Sequence, residues 1–378
     1  MFFNRTTKLV LFQSLFKLNI TVNIFLNLAF LNKKSSPLGK ITKAENNLIY
    51  GFMSIIENSS YKKPSILLNR HLETIVPGLL RKIQTRIPYE RERITTSDDD
   101  FLDLDWIKKN NERLIIISHG LEGDSSRPYV IGMANAFSDN GWDALAWNFR
   151  GCSGEMNRTN RFYHSGATDD LEAVIGHAVS KGYREICLTG FSLGGNMTLK
   201  YLGESTTQKF EEVKKAVVFS VPLDLAGCSR EIHLPHNILY SRRFLKSLKK
   251  KVNQKSRSLP DFPSVDGLEH IKSLYEFDDV LTGPLHGFDS ADHYYASCSS
   301  INFLTSIKIR TLVVNALNDP FLSKSCLGRS AFENLDQVTF EVPKYGGHVG
   351  FSEYNRENLF WSEKRALKFI NEDMNNYD

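Results

Sequence analysis

The sequence predicts an α/β fold, in which a mostly parallel sheet is flanked by helices and interrupted by an inserted helical cap. Short apolar runs recur from about residue 102 onward, and segments of helical periodicity lie between most of them. This alternation is typical of parallel strands, because the crossover that joins two of them is usually a helix. The predicted strands are Arg113–Ser118, Trp142–Asn148, Glu185–Thr189, Ala216–Val221, Thr311–Ala316 and Val338–Val342.

Two of the covering helices can be placed from their apolar spacing. The segment Asp170–Val179 predicts an amphipathic helix, and Glu363–Ile370 predicts the last helix of the chain or a part of it. The apolar face of the first is formed by Leu171, Val174, Ile175 and Ala178.

The cap is predicted between about Pro222 and Ser306, where no strand of buried type occurs and prolines, aromatics and charges mix. Within it, Ser241–Arg257 is strongly basic and carries apolar residues at helical spacing: Leu245, Leu248 and Val252. A solvated lid helix accounts for this pattern. Weak contact with an anionic membrane surface, or with an anionic substrate, is the alternative.

The first 52 residues predict no regular architecture. The stretch Leu9–Leu31 is apolar, but polar side chains interrupt it throughout: Gln13, Lys17, Asn19, Asn23 and Asn27. A stable membrane span is not expected, because these groups are costly in hydrocarbon. No small-residue cleavage site follows, as a secretory signal would need. We expect residues 1–52 to be a poorly structured extension, Met53 to be the functional start, and residues 53–378 to form one α/β domain that contains the cap.

Composition narrows the class of protein. With 41% hydrophobic and 24% charged residues, the chain is typical of a globular protein. Its 47 basic and 43 acidic residues give a net charge of +4, too little for a dedicated nucleic-acid binder. The cysteines form no C-x-x-C pair, so neither a zinc site nor a disulfide framework is expected. We therefore expect a cytoplasmic location. They are Cys152, Cys187, Cys228, Cys298 and Cys326.

A candidate nucleophile is Ser192, in the segment Gly190–Gly195 (GFSLGG). The segment follows the predicted strand that ends at Thr189 and precedes the helix-compatible run Asn196–Leu202. In a nucleophile elbow the chain turns sharply from strand to helix, so glycines are needed where side chains would collide. The helix N-terminus then lies beneath the serine and favours a developing oxyanion.

A base and a carboxylate follow in chain order. Asp319 comes just after the strand Thr311–Ala316, and His348 follows the strand Val338–Val342 in a glycine-rich loop. Taken alone, Asp319 could be a turn residue before Pro320, and His348 an ordinary loop histidine. Jointly they give the order Ser, Asp, His expected of this kind of site, with His348 as general base and Asp319 orienting it.

Two backbone N–H groups are candidates for an oxyanion hole. One belongs to Leu193, which follows the nucleophile, and the other to Leu121 in the segment His119–Gly123 (HGLEG) after a strand. His119 is interpreted as structural, because it precedes the nucleophile in the chain. Arg150 is interpreted as a structural partner of a buried carboxylate or as part of the pocket wall.

Taken together, these motifs resemble those of the YheT-like esterases of bacteria, a branch of the α/β-hydrolase superfamily related to eukaryotic abhydrolase-domain lipases. The resemblance runs from about Tyr61 to the C-terminus. It is carried by Lys63-Pro64, Arg70–Pro77 (RHLETIVP), HGLEG, Asn148–Gly154 (NFRGCSG), Gly190–Asn196 (GFSLGGN), Phe277–Asp279 (FDD), Gly283–Tyr295 (GPLHGFDSADHYY), Asn318–Phe321 (NDPF) and Gly346–Phe351 (GGHVGF).

The resemblance implies an α/β-hydrolase fold and a Ser-Asp-His hydrolase that acts on carboxylic esters with short acyl chains and needs no cofactor. It also implies a start shortly before Tyr61, which favours Met53. Asn318 departs from the pattern, which usually has an acidic residue there, and we expect it to affect activity modestly.

We expect the protein to bind a small-molecule ester, which could be an acylglycerol, and not to bind nucleic acid. The sequence does not indicate the oligomeric state. Acyl transfer, a lipase acting at a membrane surface and a non-catalytic ligand-binding relative remain alternatives.

Overall fold

The computed structural model describes residues 55–372, apart from residue 57 and the segments 205–208, 264–265, 329–331 and 333–334. The predicted N-terminal extension, residues 1–52, and the predicted start at Met53 lie outside the described residues.

One sheet of nine strands organises the described chain. The strands are β1 (Ile55–Ile56), β2 (Glu90–Thr95), β3 (Phe101–Ile107), β4 (Arg113–Ser118), β5 (Asp143–Asn148), β6 (Glu185–Phe191), β7 (Val213–Phe219), β8 (Arg310–Val314) and β9 (Val338–Glu341). Their order is β1-β9-β8-β7-β6-β4-β5-β3-β2, and all neighbours are parallel except β2 with β3 and β3 with β5. The prediction of a mostly parallel sheet is confirmed.

Both faces of the sheet are buried, because successive side chains of a strand point to opposite sides. In β4, Leu114 and Ile116 belong to the apolar core on one face, and Ile115 and Ile117 belong to the core on the other. This double burial explains why the central strands are continuous apolar runs in the sequence.

Helices cover the two faces of the sheet. On one side pack α3 (Thr168–Ser180) and α4 (Leu193–Glu204), and on the other pack α2 (Pro128–Ser138) and α10 (Trp361–Asn371). The apolar face predicted for α3 is fully buried in the core. A further helix, α1 (Arg70–Leu80), precedes β2.

Between β7 and β8, where the sequence predicts an inserted cap, the described chain is helical. It comprises α5 (Leu225–His233), α6 (Ile238–Ser258), α7 (Leu274–Phe277), a π-helical turn (Asp278–Thr282), α8 (Gly283–Leu285) and α9 (Ala291–Cys298). These helices enclose an apolar cluster of their own, which includes Leu245, Phe262 and Phe277. Among the described residues, no helix is both long and apolar enough to cross a membrane.

The β2–β3 hairpin was not among the predicted strands. β3 has the sequence FLDLDWI, and all seven of its residues are buried, including Asp103 and Asp105. Arg93 of β2 binds Asp103 at 2.7 Å, and Arg91 binds Asp105 at 2.8 Å. Because cross-strand ion pairs neutralise these carboxylates, a strand that alternates acidic and apolar residues is buried throughout.

Arg150 joins three parts of the fold through buried ion pairs. Its side chain, almost inaccessible to solvent, lies 2.7 Å from Asp170 at the start of α3, 2.8 Å from Asp98 and 3.0 Å from Asp100. The predicted structural interpretation of Arg150 agrees with these contacts. Removing the guanidinium would leave uncompensated negative charge inside the protein.

We therefore expect Arg150→Met to lower the free energy of unfolding by about 3–5 kcal/mol, the usual cost of breaking a buried ion pair. The control is Arg184→Met, which removes an exposed ion pair with Glu212 and should cost less than about 1 kcal/mol. Urea denaturation of both variants measures the difference. Equal stability of the two would contradict a structural role for Arg150.

Candidate active site

Ser192 occupies a strained turn between β6 and α4. β6 runs to Phe191, two residues beyond the predicted strand end at Thr189, so Ser192 follows the strand directly. Its φ is +53°, in the left-handed region that side chains disfavour. The Ser192 N–H donates to the carbonyl of Phe219 in β7 at 2.9 Å, which helps to hold the turn.

The glycines around Ser192 are required by close packing. A Cβ at Gly190 would lie 2.5 Å from the carbonyl oxygen of Gly194, and one at Gly194 would lie 2.4 Å from that of His119. Both distances are shorter than van der Waals contact allows. The glycine spacing predicted from the sequence therefore has a steric cause in the structure.

The structure brings Ser192, His348 and Asp319 together. His348 Nε2 lies 2.9 Å from Ser192 Oγ, and His348 Nδ1 lies 2.9 Å and 3.1 Å from the two carboxylate oxygens of Asp319. The Asp319 side chain is inaccessible to solvent and also accepts the Phe321 N–H. With Nδ1–H donating to Asp319, Nε2 is left as the acceptor for the Ser192 hydroxyl. This arrangement can deprotonate the serine during attack on a carbonyl.

The loop that carries His348 is anchored by α1. Glu73 of α1 accepts the Gly346 N–H at 2.7 Å, and the Thr74 hydroxyl accepts the His348 N–H at 2.9 Å. A Cβ at Gly347 would lie 2.8 Å from the Thr74 N, and the φ of Gly347 is +58°. Reasoning from the residues alone missed Glu73 and Thr74; their only signal was their place in the RHLETIVP segment of the resemblance.

Asn318 belongs to the same anchor. Its amide nitrogen lies 3.1 Å from both carboxylate oxygens of Glu73, and its amide oxygen accepts the Gly347 N–H at 3.0 Å. An amide can donate to one group while it accepts from another, so Asn318 joins Glu73 to the His348 loop. A carboxylate at this position could not donate to Glu73.

Two candidate oxyanion donors lie beside the serine. Leu193 is the first residue of α4, so its N–H has no intrahelical acceptor and lies at the positive end of the helix dipole. Leu121 lies in the loop after β4, which approaches so closely that a Cβ at Gly120 would lie 3.2 Å from Ser192 Cβ. Leu121 and Leu193 line the same cavity as Ser192.

Glu122 ties the loop of Leu121 to the cap. Its carboxylate lies 2.8 Å from Lys251 Nζ of α6, and it accepts hydrogen bonds from Ser247 of α6 and from the Tyr163 hydroxyl. The phenol oxygen of Tyr163 also accepts the Glu122 N–H at 2.9 Å. Sequence reasoning did not assign a role to Glu122, although it is the acidic residue of the HGLEG segment.

His119 has a structural position. Its Nδ1 donates to the Gly120 carbonyl at 2.8 Å, and its Nε2 accepts the Phe149 N–H at 3.1 Å. Burial lowers the pKa of His119 to about 4, so the ring is neutral near pH 7. Both ring nitrogens are engaged with the backbone, in agreement with the structural interpretation.

A cavity of about 430 Å³ opens over Ser192 and His348. Much of its wall is apolar and comes from the cap, including Leu225, Phe244, Leu248, Phe277, Leu281 and Leu285. Arg243, Lys251 and Asp278 are charged side chains in the same wall. Among the described residues, no group of three or more His, Cys, Asp or Glu side chains is placed to hold a metal ion.

Comparison with known proteins identifies relatives along most of the chain. Residues 109–348 match the family described as serine aminopeptidase, S33. The putative esterase YheT of Escherichia coli strain K12 is 34% identical over 297 residues, which cover 75% of this chain and 84% of that protein. The phospholipase ABHD3 of Homo sapiens is 30% identical over 289 residues, covering 73% and 70%.

A solved structure shares the fold. The esterase Pf2001 of Pyrococcus furiosus superposes with a TM-score of 0.51 at 15% identity, over 78% of this chain and 95% of that one. The predicted α/β-hydrolase fold is confirmed.

The anchor of the His348 loop gives a testable prediction. We expect Asn318→Ala to lower kcat about tenfold with little change in KM, because a base displaced by a fraction of an ångström is poorly aligned although the pocket is intact. Steady-state kinetics on p-nitrophenyl butyrate measures this effect. The control Asn302→Ala changes an exposed asparagine that donates to the Ala296 carbonyl and should keep the parental kcat. An unchanged kcat for Asn318→Ala would show that the anchor is dispensable.

Proposed function

We propose that this chain, which belongs to the YheT-like esterase branch of the α/β-hydrolase superfamily, hydrolyses carboxylic esters with Ser192 as nucleophile. The observation that carries the proposal is the continuous hydrogen-bonded series from Ser192 Oγ through His348 to the buried Asp319. The names of the relatives, an esterase and a phospholipase, support ester substrates.

In the acylation step, Ser192 Oγ attacks the carbonyl carbon while His348 Nε2 takes the hydroxyl proton. Asp319 stabilises the imidazolium that forms and keeps the ring in the required tautomer. The negative charge that develops on the carbonyl oxygen is held by the N–H groups of Leu193 and Leu121. His348 then gives its proton to the departing alcohol, which leaves an acyl-enzyme on Ser192.

In the deacylation step, His348 removes a proton from water, which attacks the acyl carbon. The second tetrahedral intermediate uses the same two N–H groups. Its collapse releases the carboxylic acid and returns the proton to Ser192 Oγ. Each residue thus acts in both steps.

The cavity supports acyl esters, including acylglycerols, as the substrate class. Its apolar walls from the cap favour a hydrocarbon chain, since removing apolar surface from water gains about 25 cal/mol per Å². A volume of about 430 Å³ falls within the range of small-molecule pockets. We expect acyl groups of short length to be accepted.

We expect Ser192→Ala to lower kcat/KM for p-nitrophenyl butyrate by at least about 10⁴-fold, since the residual rate would come from binding and the oxyanion donors alone. The matched control is Ser256→Ala, an exposed serine of α6 that donates to the Asn253 carbonyl. Covalent labelling by a fluorophosphonate should disappear in Ser192→Ala only.

Hydrolysis retained by Ser192→Ala would refute the assignment of the nucleophile. Absence of both turnover and fluorophosphonate labelling in the unmodified protein would favour a non-catalytic ligand-binding relative. Transfer to an alcohol or thiol in preference to water would identify an acyltransferase, and chromatography of the products separates the two activities.

The surface around the cavity supports action at an anionic lipid surface. Ile75 and Leu79 of α1 line the cavity and are exposed, Leu80 beside them is exposed, and Leu239 near the start of α6 is exposed as well. From α6, exposed cations extend along the cap: Arg242, Arg243, Lys246 and Lys250. Apolar side chains that enter a bilayer interface, combined with cations that pair with anionic headgroups, are typical of peripheral membrane binding.

We expect the protein to bind phosphatidylglycerol-containing vesicles more tightly than pure phosphatidylcholine vesicles. Changing both Leu79 and Leu80, which are 62% and 70% exposed, to Ser should weaken that binding. The control Tyr354→Ser removes a side chain that is 73% exposed and does not line the cavity. Co-sedimentation measures the bound fraction. Equal binding by the double variant and the control would rule out docking through α1.

A further inference from the structure

Asp278 is an enclosed acidic residue that faces the cavity. It is the first residue of the π-helical turn Asp278–Thr282, between α7 and α8. Its carboxyl group is buried although the residue as a whole is partly accessible, and Asp278 is one of the residues that line the cavity above Ser192. π-Helical turns of this kind occur often at functional sites.

The carboxyl group of Asp278 is only partly satisfied by protein donors. Thr282 Oγ1 donates to one carboxyl oxygen at 2.6 Å, and the Tyr295 hydroxyl donates to the other at 2.7 Å. A carboxylate offers about four acceptor sites, so each oxygen can accept a further hydrogen bond. The Tyr295 oxygen is itself 3.1 Å from Ser229 Oγ. These contacts fix the orientation of Asp278 and leave it able to bind a ligand.

No cation of the described chain forms an ion pair with Asp278. Lys251, a cation of the same cavity wall, is paired with Glu122 at 2.8 Å. Burial raises the pKa of Asp278 to about 6, so the group is mainly ionised at pH 7 to 8. An enclosed carboxylate without a counter-charge is costly. A bound cation would remove this cost.

Aromatic side chains complete the surroundings of Asp278. Phe277, Tyr294 and Tyr295 line the cavity with it, and the Tyr294 and Tyr295 rings lie 5.2 Å apart between centroids. Aromatic faces attract ammonium groups, and the attraction is larger where water is excluded. A carboxylate beside aromatic rings is therefore suited to an alkylammonium group.

We propose that Asp278, with Phe277, Tyr294 and Tyr295, forms a subsite for an ammonium group of the ester substrate. The proposal rests on the proposed hydrolase function, because the ester carbonyl is placed at Ser192 while the ammonium group lies at Asp278. The subsite selects among esters and takes no part in bond breaking. Esters with a positively charged substituent are thus favoured over neutral esters of the same shape.

The test compares charged esters with their uncharged carbon isosteres. Butyrylcholine and 3,3-dimethylbutyl butyrate differ in charge on the alcohol side of the ester. The p-nitrophenyl esters of 6-(trimethylammonio)hexanoic acid and 7,7-dimethyloctanoic acid differ in charge on the acyl side. In at least one pair we expect kcat/KM for the charged ester to exceed that for the neutral ester by about tenfold or more, as one cation–carboxylate contact in a dry site allows.

The substitution Asp278→Asn keeps the shape and removes the charge. The charged-to-neutral ratio of kcat/KM should then fall about tenfold, towards one. The matched control is Asp289→Asn, which changes a carboxylate that is 92% exposed and should keep the parental ratio. The ratio separates a lost subsite from a general loss of activity, because misfolding lowers both rates together.

The pH dependence gives a second measurement on the unmodified protein. Because the raised pKa of Asp278 lies at about 6, the carboxylate is present above that pH and is lost as the pH falls through it. The charged-to-neutral ratio should therefore fall between pH 7 and pH 5. The Tyr294 and Tyr295 phenols lie beside Asp278, and because burial raises their pKa values neither titrates in this range. The imidazoles of His286, which contacts the Thr282 carbonyl, and of His164, which contacts the Tyr294 ring, also line the cavity, and burial lowers the pKa of both. The fall should be absent in Asp278→Asn, which separates the carboxylate from these imidazoles. The triad acts on both esters and cancels in the ratio.

Binding distinguishes failure of this proposal from failure of the proposed function. In Ser192→Ala, calorimetric titration with the same ester pairs measures affinity without turnover. A charge preference that Asp278→Asn removes would support the subsite even if no ester were hydrolysed. A ratio near one in both pairs, or a preference that persists in Asp278→Asn, would overturn the subsite and leave the hydrolase proposal intact.

Discussion

The left-handed backbone of Ser192 is the constraint on which the rest of the site depends. A residue at φ +53° is held there only when its surroundings fix it, and here they do so tightly. The Phe219 carbonyl accepts the Ser192 N–H, and the glycines at 190 and 194 allow β6, α4 and the loop after β4 to approach within contact distance. The turn places the hydroxyl above the sheet and the start of α4 beneath it.

The parallel sheet explains why remote residues converge on that hydroxyl. Ser192, Asp319 and His348 follow β6, β8 and β9, whose carboxyl ends lie at one edge of the sheet. The convergence of the strand ends does not by itself fix the orientation of the His348 ring. Its loop is held by Glu73 and Thr74 of α1, which lies far earlier in the chain.

The cap completes the site from the other side. One helix, α6, contributes Ser247 and Lys251 to the contacts with Glu122 and also presents Phe244 and Leu248 to the cavity. The loop of the candidate oxyanion donor Leu121 is therefore positioned partly by the element that shapes the substrate pocket. Other cations of α6, Arg242, Lys246 and Lys250, are exposed and do not line the cavity, whereas Arg243 and Lys251 do.

The sequence by itself determined the fold class, most of the sheet and the three side chains that meet at the site. Apolar periodicity and glycine spacing are local properties of the sequence. A strand buried on both faces requires a continuous apolar run, and a sharp turn from strand to helix requires glycines at fixed positions. The sequence did not reveal the β2–β3 hairpin. The acidic residues of β3 can be buried because arginines of the neighbouring strand pair with them, and this pairing is not visible in β3 itself.

Only the tertiary structure decided the anchor of His348 and the position of Asp278. Glu73 and Gly346 are 273 residues apart, and nothing local marks them as partners. Asp278 stands in the FDD segment of the resemblance, but nothing in that segment distinguishes a buried carboxylate from a solvated one. Burial and long-range hydrogen bonds arise from the packing of the whole chain, so a short segment cannot determine them.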